Sequence, residues 1–459
     1  MNKYKNLLKD TFIFAMGNIG SKFILFLLVP LYTNYMTVEE YGTSDLVFTV
    51  AQLLLPVVSV VIYDSVIRFG LSKFEKDVNV LLCGYIVLVG ASIFTITITV
   101  FIGLYDPINE WKWYLSIYVI LSLASSIQMN YLKVKDKNIL YSTISIMQTL
   151  LMAGLNVLFL VVFKIGVKGY LISHIVAICI TVILSFVFGR FGTELKTATF
   201  DHNLLKKMIV YSVPLVLNNI SWWVVQSSDK MMVEWFIGTS ALGIYSIASK
   251  IPSFINVMTN VFSQAWGIST VKEIESTNDR KFYSNVLKIY IFVSFGLCIL
   301  LVSIIKPFMN IYVGNLFYDA WRYVPMLLCA AVFASIAYYY GSLYGALKKT
   351  VNNMLTTVVA AIVNIIANYI LLSRIGLYGA ILGTLLSYIV MAHARMIDIN
   401  RYILIEFSKE KYLVNCFLIL FQACLVTMNF HIFITSLITI IFYLLINVNE
   451  IKQMIKLKK

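Results

Sequence analysis

Charge is scarce in this sequence. Charged side chains make up 13% of 459 residues and hydrophobic ones 60%, where a soluble domain carries roughly a quarter and about half. There are four histidines, and only seven of the 36 basic residues are arginine. Glycine-rich phosphate loops, metal-ligand clusters and nucleophile–base–acid sets are all missing. These absences exclude the familiar metalloenzyme and covalent-catalysis classes, so no enzymatic activity, metal or cofactor is expected. Cys83, Cys179, Cys298, Cys329, Cys416 and Cys424 all fall inside apolar stretches without metal-like spacing, which argues against disulfides and zinc. Long polar segments are missing too. The longest, near 190–207, 268–282 and 397–411, are too short to fold as separate soluble domains.

What the chain has instead is long apolar runs, with a mean hydropathy of +0.85. A hydrocarbon core of about 30 Å needs around 20 apolar residues per helix. The runs give about fourteen spans: 11–33, 44–67, 79–104, 113–132, 140–163, 168–189, 208–231, 240–267, 283–305, 322–346, 353–373, 377–396, 412–428 and 430–447. Span 1 follows Lys3, Lys5 and Lys9. It is too long for a signal-peptide core and lacks a cleavage site after it, so it reads as a retained helix.

Orientation follows the basic residues. With both termini on the cytoplasmic side, 26 of them, Arg395 among these, fall to the cytoplasm and 7 to the outside, leaving Lys22, Lys250 and Lys288 within helices. Lys288, about one turn inside span 9, is expected to snorkel to the cytoplasmic interface. The net charge of +14 thus reports topology and not nucleic-acid binding. Trp111, Trp113 and Trp321 are expected as interfacial anchors at the outer boundary.

The chain also repeats itself. Lys164-Ile165-Gly166-Val167-Lys168-Gly169-Tyr170 returns 210 residues later as Arg374-Ile375-Gly376-Leu377-Tyr378-Gly379-Ala380. Both copies read as tight external turns with close helix contacts. Six spans per copy restore the same orientation, so the halves are expected to be parallel repeats, the architecture of a transporter. The expected division is an N-terminal lobe over 1–190, a cytoplasmic linker over 191–207, a second lobe over 208–396, and two extra helices with a basic tail over 397–459.

At an offset of 200, Asn18 and Ser21 match Asn218 and Ser221, and Lys22 falls on Trp222. At an offset of 201, span 2 overlays span 8, pairing Asp45 with Ser246, Thr49 with Lys250, Gln52 with Ser253 and Ser59 with Asn260. Ser246, Ser249, Lys250, Ser253, Asn256, Asn260 and Gln264 read as one unbroken polar stripe along span 8. Facing lipid, such a stripe would leave hydrogen-bonding groups unpartnered. It is expected to face protein or water; the plainer alternative is interhelical packing by small polar residues.

Counting inward, Lys22 and Lys250 lie about 16 and 15 Å deep at 1.5 Å per residue. A charge near the midplane costs roughly 2.5 to 3.5 kcal/mol on insertion scales. Two such lysines, one from each half, point to an anion-binding site between the halves; a structural ion pair is the competing role for each. Asn218, Trp222, Gln226 and Asp229 share a face of span 7, where Trp222 either stacks on a sugar ring or packs, and Pro214 marks a kink. Asp45, Asp64, Asp229 and His174 are the candidate residues for proton or sodium coupling. Asp64 has Arg68 four residues on as a local partner.

Five stretches carry a family resemblance: Pro30-Leu31-Tyr32, Glu39-Glu40-Tyr41-Gly42, Ser221-Trp222-Trp223-Val224 running to Ser228-Asp229-Lys230, Leu242-Gly243-Ile244-Tyr245, and Gln264-Ala265-Trp266. In this order the chain resembles the Wzx-type flippases, the polysaccharide transporter branch of the multidrug/oligosaccharidyl-lipid/polysaccharide exporter superfamily. The resemblance implies an all-α polytopic membrane protein of the bacterial cytoplasmic membrane, with two six-helix lobes around a central cavity and two C-terminal helices. It also implies a lipid-linked oligosaccharide as cargo, moved to the outer leaflet for capsule, O-antigen or a related glycan, with membrane lipid and other polysaccharide-assembly proteins as partners. Cationic side chains on helices 1 and 8 of related lipid II flippases correspond by helix and depth to Lys22 and Lys250. Those flippases carry further cavity arginines that this chain does not offer. The competing readings are a cation-coupled multidrug exporter, which would prefer acids deep in a lobe, and, more remotely, a membrane glycan polymerase or acyltransferase.

Overall fold

The computed structural model describes residues 23–72, 74–275 and 280–451. Lys22, Asn18 and Ser21 lie outside them, as does the Gln264 side chain. Every regular element among the described residues is helical. Among the described residues, eleven helices are long and apolar enough to cross a membrane, and shorter apolar helices at Phe23–Tyr35, Thr239–Ala248 and Ile432–Ile446 fall on spans 1, 8 and 14. The expected count of about fourteen passes and the all-helical class therefore hold.

The chain divides into two compact units, Met1–Trp223 and Val224–Lys459. The first contains α1 (Val29–Tyr35), α2 (Val38–Ser59), α3 (Ile62–Gly70), α4 (Asp77–Ile102), α5 (Lys112–Val134), α6 (Asn138–Asn156) and α7 (Gly166–Gly189). It also takes the first part of α8 (His202–Ile237), which runs unbroken through Pro214.

Span 2 is two helices. α2 starts on a capping box, with Thr37 Oγ1 accepting from the Glu40 N–H at 3.2 Å and Glu40 Oε2 accepting from the Thr37 N–H at 2.8 Å, satisfying two donors a helix start leaves open. It stops at Val60 and Val61, whose φ values of 49° and 55° are left-handed. That conformation is costly for β-branched residues, and the Ser59 hydroxyl helps hold it by accepting from the Val61 N–H at 3.1 Å.

Small polar groups hold this unit together. Gln128 on α5 donates to the Tyr85 hydroxyl of α4 at 2.8 Å and accepts from Ser185 of α7. Ser65 on α3 donates to the Met208 carbonyl of α8 at 2.8 Å, and Trp223 of α8 donates to the Thr49 carbonyl of α2 at 3.1 Å. Large apolar side chains such as Val89, Ile93, Val100 and Phe101 of α4 point outward instead. Apolar outside and polar-paired inside is the arrangement lipid demands.

At the cytoplasmic ends of these helices, on the expected orientation, Lys135 bridges Asp77 at 2.6 Å and Glu194 at 3.2 Å, and the Tyr131 hydroxyl donates to Glu194. Asp64 makes no ion pair with Arg68, contrary to expectation. Lys133 is the cation it interacts with, because Arg68 projects outward.

The second unit contains α9 (Thr239–Ala248), α10 (Pro252–Glu275), α11 (Arg280–Tyr312), α12 (Val324–Ala346), α13 (Thr350–Ile375), α14 (Leu377–Ile399), α15 (Lys409–Thr427) and α16 (Ile432–Ile446). α12 is the central helix, buried over most of its length and packed by α10, α11, α14 and α15. The last two helices join this unit: Gln422 of α15 donates to the Ile299 carbonyl at 3.2 Å and to Ser303 at 2.9 Å on α11, and Tyr443 of α16 donates to the Phe292 carbonyl at 2.5 Å.

Both repeat motifs form the tight turns expected of them. Gly166 and Gly376 have φ of 51° and 59°, and a Cβ at Gly379 would fall 2.3 Å from the Leu371 carbonyl carbon. Two expectations need correction. Only Trp113 of the three outer tryptophans is exposed. Trp111 and Trp321 are buried, and Trp321 instead lies beneath the Lys306 ammonium, 5.0 Å from its ring centre. Arg395, assigned to the cytoplasmic side, is 1% exposed. Its guanidinium donates to Ala337 O at 2.7 Å, Thr357 Oγ1 at 2.9 Å and Thr356 Oγ1 at 3.1 Å, so α14 carries a buried cation held by neutral acceptors.

Candidate functional site

Span 8 departs most from the sequence expectation. Pro252 opens α10, and proline is suited to a first helical turn because its missing N–H has no partner to lose there. The chain unwinds over Ser249, Lys250 and Ile251 in front of it. The polar stripe is therefore broken, since the 100° step that aligned its members does not continue across the turn. Ser246 is buried within α9, and Ser249 is satisfied by the Tyr245 carbonyl at 2.8 Å. What remains is a shorter set. Lys250 sits half-buried in the turn, its carbonyl accepting from Ser253 Oγ at 2.5 Å, and Ser253 and Asn256 are exposed, with Asn260 half-buried one turn further on. These three polar residues share a face of α10.

On α8, Asn218 and Trp222 are half-buried and Gln226 is exposed, its amide 3.4 Å from the Tyr338 hydroxyl of α12. Gln52 of α2 is also exposed. Asp229 parts company with Gln226 although both were placed on one face, because the helix packs against α9 and α14 there. It is 4% exposed. One carboxylate oxygen accepts from the Lys230 N–H at 2.9 Å, and the other accepts from the Tyr245 hydroxyl and from Thr384 Oγ1 at 3.1 Å.

The adjoining Ser228 extends this polar cluster into α13. Its hydroxyl donates to Asn364 Oδ1 at 3.1 Å, which also accepts from the Asn368 amide at 3.0 Å. Asn364 Nδ2 and Asn368 Oδ1 are buried without partners, and a Cβ at Gly383 of α14 would fall 2.0 Å from that Asn368 oxygen. Buried polar atoms without a partner are rare, and a bound ion, a water or a functional role is the usual reason for one. Tyr245 enters the sequence reading only as the end of a resemblance motif, and Thr384, Asn364 and Asn368 do not enter it. Two asparagines four residues apart in an otherwise apolar span were the available signal.

In the first unit, His174 Nδ1 donates to the Tyr170 carbonyl, 2.9 Å away, and its ring packs 4.6 Å from both Phe48 and Tyr170. Tyr170 in turn meets Tyr32 at 4.9 Å, and Asp45, half-buried on α2, interacts electrostatically with Tyr170. Asp64 stands apart from this group on α3, near Lys133. No group of three or more His, Cys, Asp or Glu side chains suited to a metal occurs among the described residues.

The motifs behind the family resemblance make specific contacts. Glu40 reaches the Gly166 turn, where a Cβ would fall 2.4 Å from Glu40 Oε1. Tyr245 closes on Asp229, and Trp266 stacks 4.9 Å from Tyr339 while donating to its carbonyl at 3.2 Å.

Residues 7–266 match the family model described as polysaccharide biosynthesis protein. A curated relative, Lsg locus putative protein 1 of Haemophilus influenzae, is 21% identical over 263 residues, covering 56% of this chain and 64% of that protein. Among solved structures, lipid II flippase MurJ in an inward closed conformation matches with a TM-score of 0.69 at 14% identity, over 98% of this chain and 100% of that one. An inward-facing multidrug resistance MATE family transporter of the MOP superfamily matches with a TM-score of 0.67 at 13% identity, over 84% and 94%. The fold is one used by membrane transporters and flippases, and the chain belongs to the polysaccharide biosynthesis protein family.

Proposed function

We propose that this protein is a flippase that moves an undecaprenyl-pyrophosphate-linked oligosaccharide from the cytoplasmic to the outer leaflet of the bacterial cytoplasmic membrane by alternating access. The observation that carries this reading is Lys250 in an unwound turn of a membrane helix, followed by the outward-facing Ser253 and Asn256 and the half-buried Asn260. Irregular backbone at such depth is tolerated where it is buried in protein or lines a water-filled cavity, and the exposed Ser253 and Asn256 favour the cavity. A pyrophosphate needs cationic donors to leave water, and sugars need hydroxyl and amide partners. Lys250 and Lys22 serve the first need; Ser253, Asn256, Asn260, Gln226, Asn218, Asn18, Gln52 and Trp222 serve the second. Membership of a polysaccharide biosynthesis family supports a glycan cargo, and the likeness to a lipid II flippase supports a lipid-linked one.

The test is Lys22→Gln and Lys250→Gln, singly and together, scored by surface glycan and by membrane expression. The double variant is expected to be well expressed and to lose glycan export, with Lys250→Arg restoring it. Normal export from the double variant would sink the pyrophosphate assignment.

Asp229 favours a second reading in part. A carboxylate buried within one unit, with Thr384, Asn364 and Asn368 on adjoining helices, suits a coupling cation or proton, as a cation-coupled multidrug exporter would need. Deleting the gene separates the two. Lipid-linked glycan accumulating inside supports the flippase, and drug sensitivity with normal glycan supports the exporter.

A further inference from the structure

A cleft of 320 Å³ opens where three helix ends meet in the second unit, near the starts of α11 and α15 and just past the end of α16. Lys288, Lys411, Glu450 and Asn449 supply its polar wall, and Ile291 and Phe407 its apolar one. On the orientation expected from the basic residues, this is the cytoplasmic headgroup level. Lys288, expected to snorkel to this level, is half-buried in the cleft.

The hydrogen-bond balance of the cleft is lopsided. Lys411 spends its ammonium on both oxygens of Glu450, at 3.1 and 3.3 Å. Asn415 and Asn447, deeper in, donate to one another at 3.3 and 3.2 Å and are closed off. Lys288 makes no hydrogen bond or ion pair among the described residues. Two lysines against one carboxylate leave a net charge of +1, and the unused groups are mainly donors. The complementary ligand is a monoanion rich in acceptors and lacking donors.

We infer that this cleft holds the phosphodiester of an anionic phospholipid. A phosphodiester has one negative charge and only acceptor oxygens, matching both the charge and the donor surplus. Basic pockets between transmembrane helices on the cytoplasmic side are suited to such headgroups. A lipid fits better than free phosphate because Ile291 and Phe407 give the cleft an apolar wall beside its polar one, against which the start of an acyl chain can lie. The lipid is a resident of the cleft, independent of whatever the protein transports.

The test uses the full-length protein in mild detergent and native mass spectrometry with phosphatidylglycerol, phosphatidylcholine of matched tails, and inorganic phosphate. Phosphatidylglycerol is expected to be retained over phosphatidylcholine, and Lys288→Gln to weaken it about fivefold. Lys288→Arg is expected to keep it, and Lys306→Gln, on the opposite end of α11, to leave it unchanged. Equal retention of phosphatidylglycerol by Lys288→Gln overturns the site. Equal binding of phosphatidylcholine overturns the charge reading, and displacement of lipid by equimolar inorganic phosphate overturns the lipid.

Discussion

Thr384 donates its hydroxyl to the Asp229 carboxylate at 3.1 Å, tying α14 to α8 inside the second unit. A hydrogen bond to a charged group contributes about 1.5–3 kcal/mol, and removing one partner leaves the other buried and unsatisfied. Thr384→Val is therefore expected to lower the thermal midpoint of the purified protein. Asp229→Asn keeps the shape and removes the charge. It is expected to leave the protein folded while abolishing any dependence of transport on a sodium or proton gradient in proteoliposomes. An Asp229→Asn protein that responds to the gradient like the unaltered one removes Asp229 from coupling.

Gly166→Ala is expected to destabilise the first unit for two reasons. Its φ of 51° strains any Cβ, and that Cβ would fall 2.4 Å from Glu40 Oε1. Displacing Glu40 breaks the capping box of α2, worth about 0.5–2 kcal/mol. The effects should be non-additive with Glu40→Ala, since the second substitution removes the clash that the first creates. Thermal unfolding of the two single variants and the double variant measures this, and strict additivity would refute the contact.

Val60→Gly should raise stability. Val60 is a half-buried β-branched residue at φ 49°, and the left-handed region costs an L-residue roughly 1–2 kcal/mol. Glycine removes that cost at the expense of some entropy in the unfolded chain, so a gain of a few tenths to about 1 kcal/mol is expected. A lower thermal midpoint would show that Val60 packing outweighs its backbone strain.

Lys135 predicts alkaline sensitivity. Burial depresses its ammonium, but the paired carboxylates of Asp77 and Glu194 together hold it above its ordinary value of 10.5. A group whose folded pKa is raised contributes fully below its unfolded pKa and loses that contribution as pH rises through the folded one. The Lys135 cluster should thus stabilise uniformly through neutral pH and fail only above about 10.5. Lys135→Met is expected to lower the thermal midpoint at pH 7 and to flatten the alkaline limb. An alkaline limb unchanged by the substitution would place the loss elsewhere.

Much of the architecture was legible because lipid imposes length and polarity so strictly. Span positions, the all-helical class and both Ile-Gly-x-x-Gly turns follow from runs of apolar residues and two glycines. What could not be read were the breaks inside spans. Val60 and Val61 carry no local signal for a left-handed pair, and Pro252 marks a helix start without fixing how the turn before it holds Lys250. Periodicity assumes an unbroken helix, so the span 8 stripe dissolved where the helix did. Asp229 is legible, but Tyr245 and Thr384, which bond it, and the Asn364–Asn368 pair, which the adjoining Ser228 bonds, come from three other stretches of chain, and no one-dimensional spacing brings them together. The burial of Arg395 is hidden for a related reason: counting basic residues at span ends does not distinguish a side chain reaching water from one folded back into the lobe.

The buried Arg395 also bears on how the protein is made. All the acceptors it uses, Ala337, Thr356 and Thr357, with Asn353 O at 3.5 Å, belong to α12 and α13, which leave the ribosome first. When α14 emerges its partners already exist, so the arginine can dock on arrival instead of waiting without acceptors for its guanidinium. Moving α14 ahead of α12 by circular permutation would reverse that order and burden insertion, even if the finished protein were unchanged.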